Sequence, residues 1–163
     1  MKYDVVIGID PDKEKSGFAF LTPRNKEMVV ENLTFPVMLD RLQAIKRNIV
    51  SSGGKVLIVV EAGWMVKKSN FHDAQGHRAE KIAKDVGANH ETGRKIIEMC
   101  KHYGLEVLPM HPLKKCWKGR DGKITDEEIK YFMPVYGRTN QDGRDAALLA
   151  WHVAGLPIKV KCL

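Results

Sequence analysis

Two apolar runs, each closed by a single carboxylate, constrain this chain more than any other feature. The first run covers residues 5–9 and ends in Asp10, and the second covers residues 56–60 and ends in Glu61. Neither run alternates apolar with polar residues, which is typical of a strand covered on both faces. The long stretch between the runs provides the crossover that parallel pairing requires. The pattern predicts two buried parallel strands in one sheet.

Both carboxylates fall where ligands usually bind in such sheets, just outside the carboxyl ends of the buried strands. A carboxylate beside a core is costly unless a cation or hydrogen bonds compensate its charge. Taken singly, Asp10 or Glu61 is equally well explained as a solvated residue at the edge of a loop. Taken as a pair, they favour a functional site.

Length and charge limit the alternatives. With 163 residues the chain is expected to form a single domain, residues 1–163, with a core of its own. Its net charge of +7 makes anionic, phosphate-bearing partners the first expectation. Three cysteines without a CxxC pair indicate free thiols in a reducing compartment. No apolar run is long enough for a membrane span and no signal peptide is recognised, so we expect a cytoplasmic protein without a membrane partner.

The rest of the chain divides into short strands and helices. Gly17 is expected to supply an unusual backbone angle in a hairpin after Asp10. Thr125 begins a capping box whose helix should end at Pro134. The other predicted elements are strands at 18–21, 28–35 and 106–110, a helix that Pro36 opens and that runs to about residue 49, a helix face from 79 to 100 that ends at Gly104, and a last helix at 141–154 capped by Asn140.

Two further acids stand three residues apart at the start of that last helix. Asp142 and Asp145 therefore share one face of its first turn. Acidic residues near a helix N-terminus are also favoured by the helix dipole, which is an equally good explanation of Asp142. Asp145 lies on the apolar side with Ala146 and Leu149, so it should point toward the sheet.

These residues resemble a known family, the RuvC-type Holliday junction resolvases. The resemblance rests on Ile9-Asp10-Pro11, on Gly17, on the strand that ends in Glu61, and on residues 142–146, which read DGRDA. Residues 92–107 and the lysine-bearing segment 113–119 match the same order of elements. The chain departs from the family at Asp12, where a glycine is usual, and in a longer stretch between Trp64 and Asn89.

The resemblance implies a ribonuclease H-like α/β fold, with a mixed five-stranded sheet and helices on both faces. It implies an endonuclease that acts on branched DNA, above all four-way junctions, as a homodimer with two symmetric sites. It also implies four catalytic carboxylates, Asp10, Glu61, Asp142 and Asp145, that hold two Mg²⁺ ions, for which Mn²⁺ can substitute. Lys114 would lie beside the scissile phosphate as a further catalytic residue, although a solvated lysine in a basic loop is the competing interpretation.

Several residues outside the acidic set are candidates for DNA binding. Trp64 could stack on an unpaired base, or it could simply be docked against the fold. The other candidates are basic residues: Lys67, Lys68, Arg94, Lys115, Lys118 and Arg120. Lys115, Lys118 and Arg120, together with Lys123, are assigned only to binding of the DNA backbone, and a solvated charge run is almost as good an explanation of each.

Three other functions compete with a junction resolvase. One is a less selective nuclease of the same fold that cuts branched DNA or flaps, and another is a junction-binding module without catalysis. The third is a sugar-kinase or actin-like ATPase, which is disfavoured because that architecture needs two such domains and a second phosphate loop. The sequence does not indicate a partner helicase.

Overall fold

The computed structural model describes residues 2–66 and 76–160, and it contains one mixed five-stranded sheet in the order β3-β2-β1-β4-β5. The strands are β1 (Val5–Asp10), β2 (Ser16–Thr22), β3 (Glu27–Leu33), β4 (Val56–Glu61) and β5 (Glu106–Met110). β1 pairs antiparallel with β2 and parallel with β4, and β4 pairs parallel with β5. The carboxyl ends of β1, β4 and β5 therefore meet at one edge of the sheet.

Helices cover both faces of the sheet, as expected for this fold class. They are α1 (Phe35–Asn48), α2 (His77–His102), α3 (Asp126–Lys130) and α4 (Gln141–Val153), with short 3₁₀ turns at Val50–Ser52, Gly63–Met65 and Arg120–Gly122. α3 and α4 pack on one face around the buried Trp151, and α1 with the second half of α2 packs on the other around Met38 and Ile96. Both faces of β1 and β4 are buried, so their apolar runs do not alternate.

Two predicted boundaries were wrong by a few residues. The third strand was predicted to reach Phe35, but β3 ends at Leu33 and Phe35 already belongs to α1, because Pro36 is favourable in a first helical turn. The helix after Thr125 was predicted to run to Pro134, but α3 ends at Lys130. Its capping box is present, with Thr125 and Glu128 satisfying each other's backbone N–H groups.

The reason predicted for Gly17 was also wrong. Its backbone does not have a positive φ; instead, α4 passes so close that a Cβ on Gly17 would lie 2.0 Å from the carbonyl oxygen of Asp142. Gly8 has the same role one turn further along, where a Cβ would lie 2.1 Å from the carbonyl oxygen of Ala146. Glycine at both positions allows the backbone of α4 to lie directly on β1 and β2.

Within the described residues, no helix is long and apolar enough to cross a membrane. Cys100 is buried and Cys116 is exposed, and both are free thiols. Cys162, Lys67 and Lys68 lie outside the described residues.

Candidate active site

The site is built around Asp10, the last residue of β1. Strand register places Asp10 opposite Gly17 on β2, and Ile9 opposite Val60 on β4, so that Glu61 follows directly beside Asp10. Because Gly17 also contacts the backbone of Asp142, the first turn of α4 lies against the same strand end. The structure thus brings together Asp10, Glu61, Asp142 and Asp145, which we call the carboxylate cluster.

The four carboxylates influence one another's ionisation. Burial raises the pKa of Asp10 well above its usual range, and the charges of Glu61, Asp142 and Asp145 raise it further. Burial is also the largest cause that raises the pKa of Glu61 and of Asp142. A hydrogen bond with Asp10 acts in the opposite direction on both. The cluster therefore carries more negative charge than its surroundings neutralise.

Lys123 is the cation in contact with the cluster, and sequence reasoning had assigned it only to backbone binding. Its Nζ lies 3.2 Å from Oδ2 of Asp145, whose side chain is 16% exposed. Burial alone would lower the pKa of Lys123, but attraction to Asp145, Asp10 and Glu61 outweighs it and raises the pKa. Lys123 is thus held in its charged form beside the carboxylates. The sequence signal that could have identified Lys123 is its position two residues before Thr125, the cap of α3.

Two polar side chains of α4 position Lys123. Arg144 donates from Nε to the carbonyl oxygen of Ile124 at 3.0 Å and from Nη1 to that of Thr139 at 2.7 Å. Gln141 donates from Nε2 to the same Ile124 carbonyl at 3.2 Å and to Oδ1 of Asp145 at 2.8 Å. The loop before α3 is therefore held directly against the start of α4. Neither Gln141 nor Arg144 was singled out from the sequence, although Arg144 lies inside the DGRDA motif.

The predicted Lys114 is exposed, but it lines a cavity of about 40 Å³ beside the cluster. Glu61, Asp145 and Lys123 line the same cavity, together with Lys115. Lys115 and Lys123 both lower the pKa of Glu61, so three lysines surround this side of the site. Lys118 and Arg120 follow on the same segment and are exposed.

Trp64 is half-buried and docked on α2, one of the two positions considered for it. Its ring lies edge-on to that of His90 at a centroid distance of 6.0 Å, and the guanidinium of Arg94 lies 5.1 Å from the ring centroid. A Cβ on Gly93 would lie 2.6 Å from Cζ3 of the indole, so glycine is required where the ring meets the helix. Arg94, a predicted DNA-binding residue, is thus engaged with Trp64.

Asp12, the acid that departs from the family pattern, organises its own loop. Its carboxylate accepts the backbone N–H of Glu14 at 2.9 Å and of Lys15 at 3.3 Å, and its own N–H donates to Oγ of Ser16. Its charge also raises the pKa of Asp142. Asp12 therefore adds to the negative potential of the site while holding the loop after β1.

The donor types fit a hard divalent cation, but the cluster is not closed around one. Within residues 2–66 and 76–160, no three His, Cys, Asp or Glu side chains are already arranged to hold a single metal ion. Asp145 is engaged by Lys123 and Gln141 instead. Oxygen-only ligands with unneutralised charge are nevertheless what Mg²⁺ and Mn²⁺ prefer.

Comparison with known proteins supports the fold. No protein-family model and no curated protein sequence matches the chain. Among solved structures, the chain is similar to RuvC of T. thermophilus in complex with a Holliday junction substrate. The two share 15% sequence identity over 94% of each chain, with a TM-score of 0.52. This likeness confirms the predicted ribonuclease H-like, RuvC-like fold, and at this identity it concerns the fold alone.

Proposed function

We propose that this protein is a metal-dependent, structure-selective DNA endonuclease that resolves four-way junctions by paired phosphodiester hydrolysis. The observation that carries the proposal is the carboxylate cluster at the edge of the sheet where β1 and β4 end, with Lys123 in contact with it. The proposal is also supported by the similar fold of T. thermophilus RuvC, whose solved structure contains a Holliday junction substrate.

Asp10, Glu61, Asp142 and Asp145 would hold Mg²⁺, with Mn²⁺ as a substitute. The raised pKa values of Asp10, Glu61 and Asp142 indicate acids that lack positive charge around them, and divalent cations would supply it. When bound, a pair of such ions lowers the pKa of a water nucleophile and stabilises the leaving oxygen. Asp10 would be the central ligand, because the charges of Glu61, Asp142 and Asp145 all act on it.

The lysines would act on the phosphate. Lys123 is positioned by the loop that Gln141 and Arg144 hold, so its ammonium group is preorganised beside the cluster. Positive charge fixed where negative charge develops stabilises the transition state. Lys114 lines the cavity on the same side and can approach the phosphate from the loop after β5. Of these two lysines, Lys123 is the one already held beside the acids in the absence of DNA, because it contacts Asp145.

The DNA backbone would follow the basic segment next to this cavity. Lys115, Lys118 and Arg120 are exposed along it, and such contacts give affinity without sequence preference. Arg94 and Trp64 lie on the α2 side of the site, where Arg94 would have to leave the ring of Trp64 before a base could stack there. Lys67 and Lys68 remain sequence predictions, because they lie outside the described residues.

A homodimer with twofold symmetry would provide the two sites that paired cuts require. The first half of α2 supports this arrangement, because it carries apolar residues at helical spacing that the sheet does not bury. Ile82 is 36% exposed, and Ala79 and Ala83 share its side of the helix without being buried. A second copy of this helix is the occupant that we propose for the face.

A cleavage assay tests the function directly. The protein is incubated with an end-labelled four-way junction, a flap and a linear duplex of the same length, in Mg²⁺, in Mn²⁺ and in a chelator. We expect symmetric cuts in the junction only, dependent on the metal and absent in Asp10→Asn. Equal cutting of the flap would replace the proposal with a less selective nuclease. Tight junction binding without cutting in either metal would identify a non-catalytic binding module.

A further inference from the structure

Glu61 lines two separate cavities, and their other lining residues differ in chemistry. The first is the small cavity that the lysines line. The second has a volume of about 150 Å³ and lies between the strand ends and the middle of α2. Asp10, Glu61, Asn89 and His90 supply its polar lining, and Pro11, Gly63 and Val86 supply the rest.

The lining of this second cavity does not suit a phosphate group. No lysine or arginine of the described chain lines it, whereas two carboxylates of the cluster do. Under the proposed function Asp10 and Glu61 are engaged with metal ions, and the rest of the lining offers no positively charged side chain to a phosphate. Neutral hydrogen-bonding groups from Asn89 and His90, together with the apolar surface of Pro11 and Val86, suit a flat polar ring.

The volume suits a single ring. An apolar protein cavity of about 150 Å³ accepts one benzene molecule, and the cavity here has the same volume. A six-membered pyrimidine ring is of benzene size. The cavity has room for the base of a nucleoside but not for its sugar, which would lie outside, next to the carboxylates.

The walls of the cavity are already ordered. Oδ1 of Asn89 accepts the backbone N–H of Lys13 at 2.8 Å, which leaves the amide NH₂ group to donate to a ligand. The His90 ring lies edge-on to Trp64, and its Nε2 would be only 2.8 Å from a Cβ on Gly63. Glycine at position 63 thus makes room for the imidazole. Groups that are fixed in this way cost little conformational entropy when they bind a ligand.

We propose that this cavity binds one nucleobase of the DNA strand being cut, a base of pyrimidine size next to the scissile phosphate, with His90 and Asn89 as its hydrogen-bonding partners. The inference rests on the proposed function, because it assumes that the phosphate adjoining that base lies at the carboxylate cluster. It assigns to α2 a contact with the substrate that is separate from the lysine-lined side.

The experiment combines abasic substitutions in the DNA with the variant His90→Phe. Phenylalanine keeps an aromatic ring against Trp64 but cannot form the hydrogen bonds. Single-turnover cleavage rates are measured on junctions that carry one abasic residue at each position around the cut. At one position, the abasic residue should slow cleavage by the wild-type protein by about 10-fold or more. The same abasic residue should slow cleavage by His90→Phe by less than about 2-fold, because this variant has already lost the interaction with the base. His90→Gln, which keeps a donor, should recover part of the response.

A matched control is His102→Phe, the same substitution near the C-terminus of α2, where His102 lies beside Tyr103. His102→Phe should be slowed by each abasic residue by the same factor as the wild-type protein. If abasic and His90→Phe effects simply multiply at every position, the inference is wrong.

A second measurement separates this inference from the proposed function. The imidazole nitrogen signals of His90 in the wild-type protein are followed by NMR as a thymidine dinucleotide is added, and then its abasic counterpart. A shift with the dinucleotide alone supports the base site even if no junction is cut, in which case only the proposed function fails. If the protein cuts junctions but the signals respond equally to both compounds or to neither, the base site is wrong and the proposed function stands.

Discussion

Substituting Gly17 by alanine tests how the fold assembles the carboxylate cluster. A Cβ at this position would lie 2.0 Å from the carbonyl oxygen of Asp142, 2.4 Å from its carbonyl carbon and 2.9 Å from the nitrogen of Gly143. These are backbone atoms in the first turn of α4, so they cannot rotate out of the way. To restore a separation of about 3 Å, β2 and α4 must move apart by at least about 1 Å.

The displacement should affect activity more than stability. A misplacement of about 1 Å in a catalytic arrangement can cost roughly 100-fold in rate, and Asp142 belongs to the turn that must move. Overpacking a core contact typically costs about 1–3 kcal/mol in the free energy of unfolding. At roughly 2–4 °C per kcal/mol for a domain of this size, the melting temperature should fall by roughly 2–12 °C. Gly17→Ala should therefore remain folded at 25 °C while cutting about 100-fold more slowly.

The assay is single-turnover cleavage of a labelled four-way junction in Mg²⁺, with thermal unfolding followed by circular dichroism. Gly87→Ala is the matched control, because Gly87 is an exposed position within α2 and a Cβ there would meet no atom within 4 Å. It should cut at the wild-type rate and be more stable by about 1 kcal/mol. Gly17→Ala that cuts at the wild-type rate would refute the argument that this close approach sets the position of Asp142.

Three further predictions concern charge and assembly. Asp10→Asn should raise the melting temperature of the metal-free protein at neutral pH, because the raised pKa of Asp10 means that its ionisation opposes folding. This penalty is absent below the pKa of the unfolded state, grows as the pH rises from there to the pKa of the folded state, and is constant above it. The difference between variant and wild type in a chelator should therefore widen with pH across that window. Lys123→Met should slow single-turnover cleavage roughly 100-fold or more, and more than Lys114→Met, because of these two lysines it is Lys123 that forms an ion pair with Asp145. Ile82→Glu should convert a dimer into a monomer in light scattering, whereas Val29→Glu, at a 55% exposed position on β3, should leave the dimer intact.

Each of these has a result that would contradict it. A stability difference between Asp10→Asn and wild type that does not change with pH would mean that charge is not its cause. Equal rates for the two lysine variants, or a larger loss in Lys114→Met, would assign the transition-state contact to Lys114. A dimer that persists in Ile82→Glu would place the interface elsewhere than on the first half of α2.

Local patterns were sufficient where neighbouring residues determine the structure. The apolar runs before Asp10 and Glu61 predicted β1 and β4 because strands buried on both faces show no alternation. Asn140 predicted the start of α4 because a cap depends only on the residues it bonds, and its side chain accepts the N–H of Gly143 at 2.8 Å. The end of α3 was missed because the chain tightens locally after Lys130, where the N–H groups of Tyr131 and Phe132 bond to carbonyl oxygens three residues back.

The sequence by itself determined the buried strands and the caps, since each follows from neighbouring residues, and its resemblance to a known family indicated the four acids of the candidate site. Only the tertiary structure decided why Gly17 is a glycine, because the atom it must avoid belongs to Asp142, far along the chain. Only the tertiary structure shows that Lys123, and not the predicted Lys114, contacts Asp145. The hydrogen bonds of Arg144 and Gln141 to the carbonyl oxygen of Ile124 hold Lys123 there. The physical reason is that a salt bridge depends on distances in space, and hydrogen bonds between distant segments set those distances.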